Sequence, residues 1–188
     1  MLAALAALPR PALAQLPTCE SVACAACGGE LPGTAWDFQE ILCVDLPTIA
    51  EFFPGCTGGS EELDVTVEGF VVFATDGAYT EEYLVEGVFT MRIPLECLPA
   101  GVTCEQLGNR RDATPTTTAS ECVLVRPSRV RETKTGTYLL GGATATLVDT
   151  DGEVEIGHFC IEGEEMTVDA LNPGHPEMHV ITRYTRRD

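Results

Sequence analysis

The chain has 188 residues and carries 29 acidic against 11 basic side chains, a net charge of −18 with histidine neutral. So large an acidic excess repels phosphate backbones and anionic lipid heads, which argues against nucleic-acid and membrane-surface binding. A hydrophobic content of 45% with 18 Gly and 12 Pro excludes a disordered chain and fits one turn-rich domain.

Residues 1–14 read as a signal peptide. Leu2 to Leu8 form a short apolar core, and Ala12-Leu13-Ala14 before Gln15 meets the small-residue rule for cleavage, although no basic residue precedes that core. The alternative is an unstructured tail. All nine cysteines, from Cys19 to Cys160, follow that point. The chain is therefore expected to be exported (extracellular, periplasmic or cell-envelope-associated), where disulfides form and persist. Beyond the leader, no apolar run approaches the ~20 residues of a transmembrane helix. A lipid anchor on a cysteine ranks behind soluble export, since Leu16-Pro17-Thr18 before Cys19 and Ser21-Val22-Ala23 before Cys24 are poor lipidation contexts.

Residues 15–32 form a cysteine-rich segment leading into a domain over 33–188, and the cysteine-dense stretch runs on to Cys43 and Cys56. Ile49 to Phe53 suit one helical turn, stopped by Pro54-Gly55. From Leu63 the pattern has period two: Leu63, Val65, Val67, Val71 and Phe73 oppose Asp64, Thr66 and Glu68. After the Asp76-Gly77 turn, Tyr79, Tyr83, Val85, Phe89, Met91 and Ile93 alternate with Thr80, Glu82, Glu86, Thr90 and Arg92. The two runs predict a long antiparallel hairpin with Phe73 and Tyr79 inside and Glu82 and Glu86 outside.

Pro94 to Gly108 reads as a loop or short helix, and the expected local disulfide there joins Cys97 to Cys104; a second candidate pairing joins Cys43 to Cys56. Residues 112–119 are a polar, threonine-rich connection. Strand-like runs follow at 121–126, 132–140, 143–149, 153–161, 164–170 and 177–185, separated by Gly141-Gly142, Asp151-Gly152, Glu162-Gly163 and Asn172-Pro173-Gly174. Such even spacing predicts an all-β fold, an antiparallel up-and-down barrel of about eight strands, because closure removes exposed edges. A two-sheet β-sandwich is the alternative.

Three stretches carry a resemblance to the lipocalin-like (calycin) family, in particular its small secreted or lipid-anchored bacterial members. Gly33-Thr34-Ala35-Trp36 opens the first strand as a Gly-x-Trp element does there, with one more residue in the spacing. Phe73-Ala74-Thr75-Asp76-Gly77-Ala78-Tyr79-Thr80 looks like the Phe-x-x-Asp-Gly-x-Tyr hairpin of such domains, and Gly136-Thr137-Tyr138 matches the late part of the barrel. The resemblance implies an eight-stranded barrel around a small apolar ligand, closed at its base by a late arginine over the first-strand tryptophan. Among Arg183, Arg186 and Arg187, Arg183 is the candidate partner of Trp36.

Other chemistry is sparse. Cys24-Ala25-Ala26-Cys27 could be a redox pair or half a zinc site, but Gly28-Gly29 follows it in place of a helix, and structural disulfides fit better. His175 and His179 flank Glu177 without assured convergence, so no metal site is assigned. His158, beside Phe159 and Cys160, reads as a core or pocket-lining residue. None of the four serines lies in a nucleophile elbow. Glu81-Glu82, Glu164-Glu165 and Asp149 to Glu155 are placed at turns, where solvation explains them. Arg126, Arg129, Arg131 and Lys134 form either a partner-binding strip or one strand's polar face, salt-bridged to acidic neighbours.

These features predict a non-enzymatic, disulfide-stabilised binding or envelope-associated protein without a cofactor. Its small apolar ligand would meet Tyr79, Tyr83, Phe89, Met91 and His158. The bulk of that inward set predicts a small pocket or none. The alternative is an interaction domain with a filled barrel, and the odd ninth cysteine leaves a disulfide-linked dimer open.

Overall fold

A run that alternates apolar and polar residues can bury one side only as an extended strand, and this chain repeats that pattern throughout. The computed structural model describes Cys19 and residues 26–45, 49–171 and 179–188; the leader, Cys24 and His175 lie outside these. The strands are β1 (Thr34–Asp45), β2 (Ser60–Phe73), β3 (Ala78–Pro94), β4 (Thr114–Thr117), β5 (Glu121–Gly141), β6 (Thr144–Asp149), β7 (Val154–Glu162), β8 (Glu165–Leu171) and β9 (His179–Arg186). Helix α1 (Ile49–Phe52) precedes β2, and α2 (Cys104–Arg110) precedes β4.

The described strands form one antiparallel sheet in the order β3-β2-β1-β9-β8-β7-β6-β5-β4, and an added β3–β5 pairing closes a ring through eight of them. The expected all-β, antiparallel, eight-strand arrangement is therefore present, with β4 outside the ring against β5. The hairpin falls where the alternation puts it: Phe73 pairs with Tyr79 across Asp76-Gly77, and both are buried. Glu82 and Glu86 lie outside, facing Arg131 at 3.6 Å and Arg129 at 2.6 Å. Of the basic strip, Arg129 and Arg131 thus lie on the outer face of β5, paired with acidic β3, whereas Lys134 faces inward.

Two runs read as separate strands are one. β5 continues through Arg126-Pro127-Ser128 because β3 is long enough to pair with it throughout, with Pro127 opposite Val88. The threonine-rich connection contains β4, which finds partners in Cys122 to Val125.

Among the described residues the ring is zipped on both sides only at one end. The β1–β2 ladder runs from Thr34–Phe73 to Asp37–Phe70 and stops there. The β5–β6 ladder stops at Gly136–Asp149. Beyond those points β2, β3 and β5 continue as an arm facing the wall made by β1, β9 and β8. At the zipped end Trp36, Val71, Phe73, Tyr79, Tyr138, Phe159 and Met166 form the main core. At the arm's far end Ile49, Phe53, Met91, Ile93, Leu107 and Leu124 form a second one.

The disulfides correct both expected pairings. Cys97 bonds Cys56, not Cys104; Cys104 bonds Cys122. Cys43 bonds Cys19, not Cys56. After Pro94 a 3-10 turn at Leu95–Cys97 directs Cys97 towards the loop behind α1. The capping box of Thr103 and Gln106 starts α2 one residue later, laying Cys104 on β5. Both bridges thus belong to the distal core. Cys27 bonds Cys160 across 133 residues, so the Cys24–Cys27 pair is not a redox dithiol.

The Trp36 closure also differs. Arg186 is the direct ladder partner of Trp36, and its guanidinium lies 5.6 Å from the ring centre. Arg183 sits opposite Glu40 instead, on the outer face, and pairs with it at 2.9 Å. Trp36 is fully buried, its Nε1 donating to the Thr34 hydroxyl at 2.7 Å.

Candidate ligand cavity

Where the two seams part, the arm and the opposite wall enclose a cavity of about 500 Å³. From the arm, Leu63, Val65 and Val67 of β2 and Val85 and Phe89 of β3 face it. These are the odd-numbered residues of both strands, the inward set expected of the hairpin. Gly69 and Gly87 fall in the same register and put no side chain into the space. A Cβ at Gly69 would run into the Glu82 carbonyl, and one at Gly87 into the Asp64 carbonyl. The expectation of a small pocket or none fails here. The inward set includes two glycines, and the ring opens where its seams end.

The facing wall comes from Phe38, Ile41 and Val44 of β1, Val168 and Ala170 of β8, and Val180, Thr182 and Tyr184 of β9. Residues three apart cannot share a face of a regular strand. Register shifts between Phe38 and Glu40 and between Ile41 and Cys43 each shift the alternation, and so bring Phe38, Ile41 and Val44 to one side. Phe38 and Tyr184 meet edge-on, 5.6 Å between ring centres.

At the zipped end the lining becomes polar, with Glu81, Tyr83, Lys134, Glu155 and Tyr184. Glu81 and Lys134 are direct partners in the β3–β5 ladder. The Tyr83 hydroxyl donates to Glu132, the neighbour of Lys134 on the same face of β5. Burial pushes the Glu81 carboxyl up to about 7; Glu155 adds to the rise, Lys134 opposes it, and Glu132 reinforces it. Burial also raises Glu155 against the pull of Lys134. The Tyr184 hydroxyl is held above its ordinary range by burial and then by Glu81.

Glu81 and Glu155 are therefore not turn carboxylates. Both sit within strands and face inward. Position 81 lies between Tyr79 and Tyr83 in an alternation already recognised, and that parity was the signal that could have found it.

Of the residues expected to meet a ligand, Tyr83 and Phe89 line the cavity. Tyr79 lies in the zipped-end core, where burial raises its hydroxyl to about 12. Met91 lies in the distal core. His158 alternates with the inward Phe159, so it faces away from the cavity and meets the Thr144 hydroxyl at 3.0 Å. No protein-family model and no curated protein sequence matches the chain.

A second polar cluster sits on the outer side of the wall. His179 lies 2.5 Å from Asp169 and 3.4 Å from Asp45, with the Cys19 sulfur close by. That sulfur is bonded to Cys43, so it is no thiolate donor, and the cluster reads as a cross-strand clamp. Among the described residues no helix is long and apolar enough to cross a membrane.

Proposed function

We propose that this chain is an exported, non-enzymatic binding protein of lipocalin-like character, holding a small and largely apolar ligand between the arm and the facing wall. The observation that carries this reading is the cavity of about 500 Å³ with its valine, leucine and phenylalanine walls, a size and lining typical of small-molecule sites. Four disulfides among the described cysteines agree with an oxidising compartment. The cavity counts against the alternative, an interaction domain with a filled interior.

Native mass spectrometry of the exported protein tests the reading, together with fluorescence titration using an apolar probe such as ANS. The expected result is a co-purifying small molecule or saturable probe uptake at about micromolar affinity. An empty protein that takes up no probe would favour the interaction domain. The same spectra report whether cleavage follows Ala14, whether a lipid is attached, and whether the odd cysteine count gives a linked dimer.

A further inference from the structure

The two ends of the cavity differ in chemistry. Away from the zipped end it offers hydrocarbon: Leu63, Val65 and Phe89 on one side, Ile41, Val44 and Val180 on the other. At the zipped end two carboxyl groups, Glu81 of β3 and Glu155 of β7, share Lys134, the single cation among the described lining residues. Glu132 stands beside Lys134 and adds negative charge. The hydroxyls of Tyr83 and Tyr184 complete the polar end, and Asp149 acts on the same region through Tyr79.

We infer that the cavity selects cationic amphiphiles, seating a protonated or quaternary amine against Glu81 and Glu155 and an apolar body between the arm and the wall. The inference rests on the ligand-binding reading above and names the class of ligand. Two carboxyls against one lysine leave an unmatched negative charge when both ionise. An incoming cation supplies the match in a setting of reduced dielectric, where charge pairs count for more than in water. A carboxylate-headed ligand of the same length would meet like charge at that end. The protein's net charge of −18 works in the same direction by drawing cations to the opening.

Calorimetric titration of the full chain at about pH 8, where Glu81 is mostly ionised, separates the possibilities with three probes of one chain length. These are decyltrimethylammonium, decanol and decanoate, each below its micelle-forming concentration. The cation is expected to bind about tenfold or more tighter than decanoate, with decanol between. In the Glu81→Gln/Glu155→Gln variant the cation should lose about tenfold while decanol changes less than about twofold. Retained decanol binding shows that the variant folds. If it does not fold, the wild type decides: the cation's advantage over decanol must shrink from about pH 8 to about pH 5 as the carboxyls protonate. Decanol or decanoate binding as tightly as the cation would overturn the head-group assignment and leave the cavity reading standing. Failure of all three probes to bind would overturn the cavity reading itself.

Discussion

Glu81 occupies an inward position of β3 flanked by tyrosines, and its carboxyl is held near 7 against an ordinary value of 4.5, chiefly by burial. A raised folded-state value means that the native protein holds a proton the unfolded chain has released. Stability contributed by that carboxyl is therefore full below about pH 4.5 and falls as pH rises towards about 7. Glu155 acts in the same direction. In the ligand-free protein Glu81→Gln should remove part of this slope, making the variant more stable by on the order of 2 kcal/mol at pH 8 and equal to wild type near pH 4. Urea denaturation across that range checks it, and parallel curves for the two proteins would refute it. The arginines give a second residue-scale expectation. Arg186→Ala removes a guanidinium over a buried indole and should destabilise by about 1–2 kcal/mol. Arg183→Ala removes a partly exposed pair with Glu40 and should change stability by under about 1 kcal/mol.

At the scale of elements, what could be read from sequence was what is local. The β2–β3 hairpin was legible because its alternation and its Asp-Gly turn lie within one stretch of chain, and burial of Phe73 and Tyr79 with the outer pairs of Glu82 and Glu86 bears out the inside and outside residues. The β1 face was not legible, because two irregularities break the period that sequence reading relies on. The disulfides were misread for a related reason: nearness in sequence suggested Cys97 with Cys104, whereas an intervening turn and helix send the two sulfurs to different partners. Non-reducing peptide mapping should recover Cys56–Cys97 and Cys104–Cys122, and a linked Cys97–Cys104 peptide would refute the pairing. In the chain-entropy picture the bridge that closes the longest loop constrains the unfolded chain most. Replacing Cys27 and Cys160 (separation 133) by serine should cost about 5 kcal/mol. Replacing Cys104 and Cys122 (separation 18) should cost about 3 kcal/mol. Thermal unfolding of the two double variants ranks them, and the reverse order would show that local packing outweighs chain entropy.

For the whole molecule, the decisive feature is that the ring, among the described residues, is fully zipped only at one end. Among the described residues β2 pairs with β1 only through residues 70–73, so its stretch from Ser60 to Gly69 has a ladder on the β3 side alone. In an antiparallel strand with one neighbour, successive amides point alternately to that neighbour and to the open edge. Hydrogen exchange along 60–69 should therefore alternate between slow and fast, while residues 70–73, paired on both sides, should be uniformly slow. The arm's tip is held by Cys56–Cys97, Cys104–Cys122 and the distal core, so fast amides should report the open seam and not a fraying end. Occupying the cavity with decyltrimethylammonium links the arm to the wall through the ligand's apolar body. It should slow exchange on both sides of the seam, at 60–69 and at 38–45, and leave 70–73 unchanged. Uniform slow exchange over 60–69 in the free protein would mean that β2 zips onto β1 in solution. The ring would then close over the space assigned to the ligand, and the cavity would have to open before anything could bind.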